Sequence, residues 1–120
     1  MKGKILVCVT VQEGCVRQIR FGHDLALSRG AAMHVLHVSE SKNALHTPEN
    51  TAVLNTLFSL AHEAEAEMSV LYEKDAAAAI ARYAAQLGAD TLILGPNRTG
   101  FTARLRQLLP EGIEVQNLEE

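Results

Sequence analysis

A glycine, an amide, a guanidinium, a hydroxyl and a second glycine fall within Gly95-Pro96-Asn97-Arg98-Thr99-Gly100, directly after the short apolar run Thr91-Leu92-Ile93-Leu94. That order suits anion binding. A buried parallel strand ending at glycine delivers a loop beyond the carboxyl edge of its sheet, where backbone N–H groups and the next helix N-terminus can face a negative group. Arg98 can pair with a phosphate through two parallel N–H bonds, and Asn97, Thr99 and Gly100 can add donors around it. Arg104 and Arg106 follow closely, whereas Glu63, Glu65, Glu67, Glu119 and Glu120 lie elsewhere.

The remaining reactive residue types carry weaker patterns. His34 and His37 are three positions apart in an apolar run, so in a strand they point to opposite faces and cannot share one metal ion. His62-Glu63 lacks the second histidine of a zinc-peptidase helix. No metal site is expected. Cys8 falls inside an apolar strand, where it reads as a small buried residue. Cys15 opens a helix, where the dipole can lower a thiol pKa, but no base or resolving cysteine accompanies it. Asp75 is explained as a helix cap, and no catalytic carboxylate pair is present.

These residues need a scaffold, and the hydrophobic pattern supplies one. Ile5 to Thr10 is a continuous β-branched run, as in a strand covered on both faces. Cys15 to Arg29 reads as a helix with Ile19, Gly22, His23 and Ala26 inward, closed by Gly30. Met33 to Val38 is a second strand, and Ser39 to His46 a polar crossover. Thr47, Pro48 and Glu49 announce a helix whose inner stripe is Leu54, Leu57, Phe58 and Ala61. Met68 to Tyr72 is a third strand, with Glu65 to Met68 open to either element. Asp75 caps Ala76 to Leu87, where Ile80, Tyr83, Ala84 and Leu87 share a face, and Gly88 ends it. After the Thr91 to Leu94 strand, Thr102 to Leu109 forms a short helix with Leu105, Leu108 and Leu109 inward. Ile113 to Leu118 alternates as an edge strand with one wet face.

Strands alternating with helices imply right-handed parallel β-α-β units. The expected fold is α/β, a five-stranded doubly wound parallel sheet of Rossmann-like order 3-2-1-4-5, in a single domain over residues 1–120. The switch point then lies between the first and fourth strands. It brings Thr10, Val11 and Gln12 opposite Gly95 to Gly100, with His37 or Val38 near enough to touch a base or ribose.

With 48% hydrophobic and 21% charged residues, the chain can build one core and has no bias toward disorder. A net charge of −3 and a pI near 5.9 argue against bulk nucleic-acid binding. No apolar run reaches the roughly 20 residues of a membrane helix, the first strand lacks a cleavage site, and two cysteines without metal spacing suit a reducing, cytoplasmic setting.

Ile5-Leu6-Val7-Cys8-Val9-Thr10, Gly30 to Val38 and Gly88 to Gly95 together resemble the universal stress protein family over nearly the whole chain. The opening Leu-Val-Cys-Val, and Arg104 to Leu109 before Gly112 to Val115, look like the universal stress domain of potassium-sensor histidine kinases of the KdpD type, here without a kinase or membrane segment. Nucleotide-binding members carry an acidic residue at the end of the first strand and a loop G-2x-G-9x-G-[S/T]. Here Thr10 holds the acidic position, Gly95 matches the first glycine, Arg98 the second, and Leu108 and Leu109 the final pair. Arginine and leucine restrict the close backbone approach that phosphate binding uses.

The reading is therefore a non-enzymatic, cytoplasmic regulatory domain with a degenerate nucleotide cleft, acting as a homodimer through Ile113 to Leu118. Two alternatives stand beside it: an ATP- or AMP-binding switch or slow ATPase using the remodelled Gly95 to Gly100 loop, and a docking module for a sensor kinase or transporter in signalling. A cyclic dinucleotide, bound by related kinase domains, matches poorly here. Candidate ligand residues are Thr10, Val11, Gln12, His37, Val38, Gly95, Asn97, Arg98, Thr99 and Gly100.

Overall fold

The computed structural model describes residues 3–9, 15–39, 48–95 and 100–118. In chain order they form β1 (Lys4–Val9), α1 (Cys15–Arg29), β2 (Ala32–Ser39), α2 (Pro48–Glu63), β3 (Glu67–Tyr72), α3 (Ala76–Leu87), β4 (Thr91–Leu94), α4 (Phe101–Leu108) and β5 (Glu114–Asn117). All strand pairs are parallel, and the order across the sheet is β3-β2-β1-β4-β5. β1 is central because its residues Ile5 to Val9 are buried on both faces, which an edge position would expose.

Two apolar layers follow from strand alternation. Ile5, Val7, Val9, Val35 and Ile93 pack under α1 and α2 through Ile19, Ala26, Leu57 and Ala61. Leu6, Cys8, Leu36, Leu92 and Leu94 pack under α3 and α4 through Ala77, Ile80, Ala81, Ala84 and Leu105. Alanines on α3 let it lie close to the sheet. On α1 the same closeness comes from Gly22, where a Cβ would stand 2.5 Å from Val7 Cγ2 and 2.9 Å from Met33 Sδ.

The caps expected for α3 are present. Asp75 accepts from Ala78 N at 3.2 Å, and Gly88, at φ +75°, donates its N–H to Ala84 and Ala85. α2 starts at Pro48 as the proline signal predicts; Thr47 lies outside the described residues.

Several stripes differ from expectation. Phe58 is 41% exposed, and α2 buries Leu57 and Ala61 with help from Val53 and Leu60. Leu108 is 44% exposed; α4 starts one residue early at Phe101, and Leu105 is its fully buried residue. The stretch 65–68 does not prolong α2: Glu65 takes φ +58°, and Ala66 N closes onto Ala61 O at 2.8 Å. A left-handed residue stops a helix whether or not it is glycine. β5 does not leave its apolar side chains bare. Ile113 and Val115 tuck against the α3/α4 layer and Leu118 against the other.

Candidate functional site

The described β1–β4 pairs run from Ile5↔Thr91 to Val7↔Ile93. The order β2-β1-β4 puts the reversal of winding direction between the carboxyl ends of β1 and β4. Gln18, in the first turn of α1, reaches between these two strand ends. Its Nε2 donates to the Cys8 carbonyl at 2.6 Å, and a Cβ on Gly95 would stand 2.5 Å from its Cδ. Gly95 thus leaves room for the Gln18 amide, which a side chain there would push aside.

The other side of the β1 tip is held by His37. Val9 and His37 are the last facing pair of the β1–β2 ladder, and His37 Nδ1 donates to the Val9 carbonyl at 2.9 Å. Gln18, His37 and Ser39 are 4%, 5% and 6% exposed, so three buried polar side chains gather at the carboxyl ends of β1 and β2. Val38 turns the other way, into the α3/α4 layer. The paired candidates His37 and Val38 are split between faces, and only His37 faces the side from which Gln18 enters.

Asp75 and Arg104 form a second feature at this end of the sheet. Arg104 Nη1 and Nη2 donate to Asp75 Oδ1 and Oδ2 at 2.6 and 2.5 Å, tying α4 to the start of α3. The guanidinium bonds, aided by the Ala78 N–H, hold the Asp75 carboxyl down at about 2. Arg104 is therefore committed to a carboxylate. At the opposite end, Arg29 donates to Thr91 Oγ1 at 2.8 Å and to Glu114 at 3.2 Å, joining α1 to β4 and β5.

Burial pushes the Cys8 thiol far up, so it stays protonated. Cys15 opens α1, but its side chain is outside the description. Among the described residues, no group of three His, Cys, Asp or Glu is placed to hold a metal ion, and no helix is long and apolar enough to cross a membrane.

The universal stress protein family matches residues 1–108. The chain belongs to that family. Among solved structures, a universal stress protein from Archaeoglobus fulgidus superposes with a TM-score of 0.71 at 17% identity, over 98% of this chain and 93% of that one. A universal stress protein in complex with cAMP gives 0.74 at 14% identity, over 98% and 97%. The Archaeoglobus fulgidus protein in complex with dAMP gives 0.68 at 15%, again over 98% and 97%. No curated protein sequence matches the chain. At these identities the likeness establishes the universal stress fold, and the site must be argued from this chain's residues.

Of the expected site residues, His37, Val38, Gly95 and Gly100 are described. Thr10, Val11, Gln12, Asn97, Arg98 and Thr99 lie outside the described residues. Gly100 takes φ +86° and starts α4 without a side-chain cap. Gln18 was missed by the sequence reading, although the signal was present: four residues before Gly22, it is a polar residue on the inward stripe of α1.

Proposed function

We propose that this chain is a non-catalytic, cytoplasmic regulatory domain that holds an adenine nucleotide, ATP or AMP, at the carboxyl tips of β1 and β4, and that it acts as a homodimer. The observation that carries the reading is the polar lining at the switch point. Gln18 and His37 are buried, each on a carbonyl of the β1 tip. Buried polar side chains cost stability unless paired, so their gathering at the ligand end of a parallel sheet favours a working crevice over a vestigial one. The cAMP and dAMP complexes of two fold relatives support the choice of an adenine nucleotide. A regulatory role without turnover fits the protonated Cys8 thiol and the engagement of Asp75 with Arg104.

The dimer rests on the sheet edge. β5 pairs with β4 alone among the described strands, so its outer backbone edge can add a symmetry-related strand. A competing reading, a docking module like those of potassium-sensor kinases, would use the exposed Leu108 beside Arg104 and Arg106. Thermal unfolding with AMP, ATP and cAMP at millimolar concentration separates the two. A nucleotide at 100 times its Kd stabilises by about 2.7 kcal/mol and raises the melting temperature by several degrees. Unchanged melting with all three would remove the nucleotide reading and leave the docking one.

A further inference from the structure

β3 ends the sheet on the side away from β5, and part of its backbone faces outward there. The Glu73 N–H donates to the Ser39 carbonyl at 3.0 Å, continuing the ladder in which Ser39 faces Tyr72. Backbone groups of successive residues alternate in direction, so the N–H and C=O of Met68 and Val70 point away from β2. No described strand lies on that side, and both residues are partly exposed.

The flank of α2 beside this edge is apolar. β1, β2 and β3 follow one another across the sheet, so right-handed crossovers place α1 and α2 on the same face, with α2 outermost. α2 runs antiparallel to the strands, and the right-handed sense of the helix then turns the residue after each inward position toward the open edge. Leu54 and Phe58 are those residues, following the inward Val53 and Leu57 about a quarter turn outboard. Phe58 is 41% exposed. On the strand, Met68 packs in the layer beneath α2, and Val70 and Tyr72 share its face by alternation, Tyr72 being 43% exposed.

Charge distinguishes one end of the edge. Glu73, Asp75 and Glu114 each engage an arginine. Glu63, Glu65 and Glu67, where α2 turns into β3, have no lysine or arginine partner among the described residues, and the Glu67 side chain is 85% exposed.

We propose that the β3 edge binds an extended segment of a partner protein, one that alternates apolar with polar residues and carries lysine or arginine at the end lying beside Glu63, Glu65 and Glu67. The segment pairs its backbone with Met68 and Val70, covers Leu54, Phe58 and Val70 with its apolar side chains, and sets its cations against the free acids. The surface is separate from the β5 edge and from the tips of β1 and β4, so it depends on neither the dimer nor the nucleotide.

Three capped peptides of alternating valine and threonine test this: one with two lysines at its amino end, one with two at its carboxyl end, and one with glutamates in place of the lysines. Each is titrated into the 15N-labelled full chain. One lysine peptide should shift the amides of Met68 and Val70 and slow their hydrogen exchange, and which one does so gives the strand direction. The glutamate peptide should bind at least about tenfold more weakly, and the preference should reverse in Glu63→Lys/Glu67→Lys. Val70→Pro removes an outward N–H without touching the β2 ladder and should abolish binding. Should that variant not fold, Phe58→Ser, at an exposed position, should weaken binding about tenfold. The proposal is overturned if neither lysine peptide moves Met68 and Val70 at millimolar concentration, or if the glutamate peptide binds equally well. It is also overturned if both amides shift on concentrating the chain alone, which would make a second copy the occupant.

Discussion

Gln18 links the ends of β1 and β4, because one amide both satisfies the Cys8 carbonyl and packs on Gly95. Gln18→Leu should destabilise the protein by about 1–3 kcal/mol in urea unfolding, the cost of a buried carbonyl losing its donor. Gly95→Ala should also destabilise, and combined with Gln18→Ala its added cost should shrink, since the clash partner is gone; strict additivity would mean the two do not touch. Asp75 gives a pH signature. Its carboxyl is lowered from 3.8 to about 2 in the fold, so its contribution is complete above about pH 4 and is lost as pH falls toward 2. The difference in urea midpoint between the unaltered protein and Asp75→Asn should narrow over that interval, and a constant difference would place the ion pair outside the energetics of folding. At this scale the sequence spoke unevenly. Asp75 as a cap and Gly22 as a point of close approach were legible, because each has one dominant local cause. The engagement of Arg104 and the amide seat at Gly95 were not, because they depend on residues brought together from 29 positions apart in one case and from different layers in the other.

Elements were legible where period and punctuation agreed. α1, α3 and β4 have the bounds that the sequence predicts, each stopped by glycine or preceded by a capping residue. α2 illustrates the failure. Its C-terminus has no glycine, and the stretch 65–68 satisfies both a helical and an extended pattern, so only the left-handed turn at Glu65 ends it. A non-glycine residue there carries a steric cost of about 1–2 kcal/mol, partly offset by the entropy that glycine would lose. Glu65→Gly should accordingly stabilise by about 0.5–1 kcal/mol; a loss of stability on the same substitution would show that the Glu65 side chain contributes more than its backbone conformation costs. Phe58 and Leu108 were assigned inward from period alone, and both face solvent because alanine and leucine neighbours already fill the layers beneath their helices.

For the molecule as a whole, the parallel order and the position of the switch point were readable from the alternation of strands and helices, and they bring β1 and β4 together as neighbours. The chemistry was harder to read: His37 was a candidate from its place at a strand end, whereas Gln18 comes from an inward helix position that reads as apolar in context. The proposed assembly predicts a dimer mass by sedimentation at micromolar concentration, and Val115→Pro, which bars an added strand by distorting β5, should shift the mass toward monomer. A protein that sediments only as monomer would end the dimer proposal. The most direct test of the ligand crevice is a backbone 15N–1H titration with AMP. The account predicts that the largest shifts cluster at Val9, Gln18, His37 and Gly95, with Lys4, Ala32 and Glu114 at the opposite end of the sheet unmoved. Shifts confined to the β5 edge or to the amino ends of the strands would contradict it.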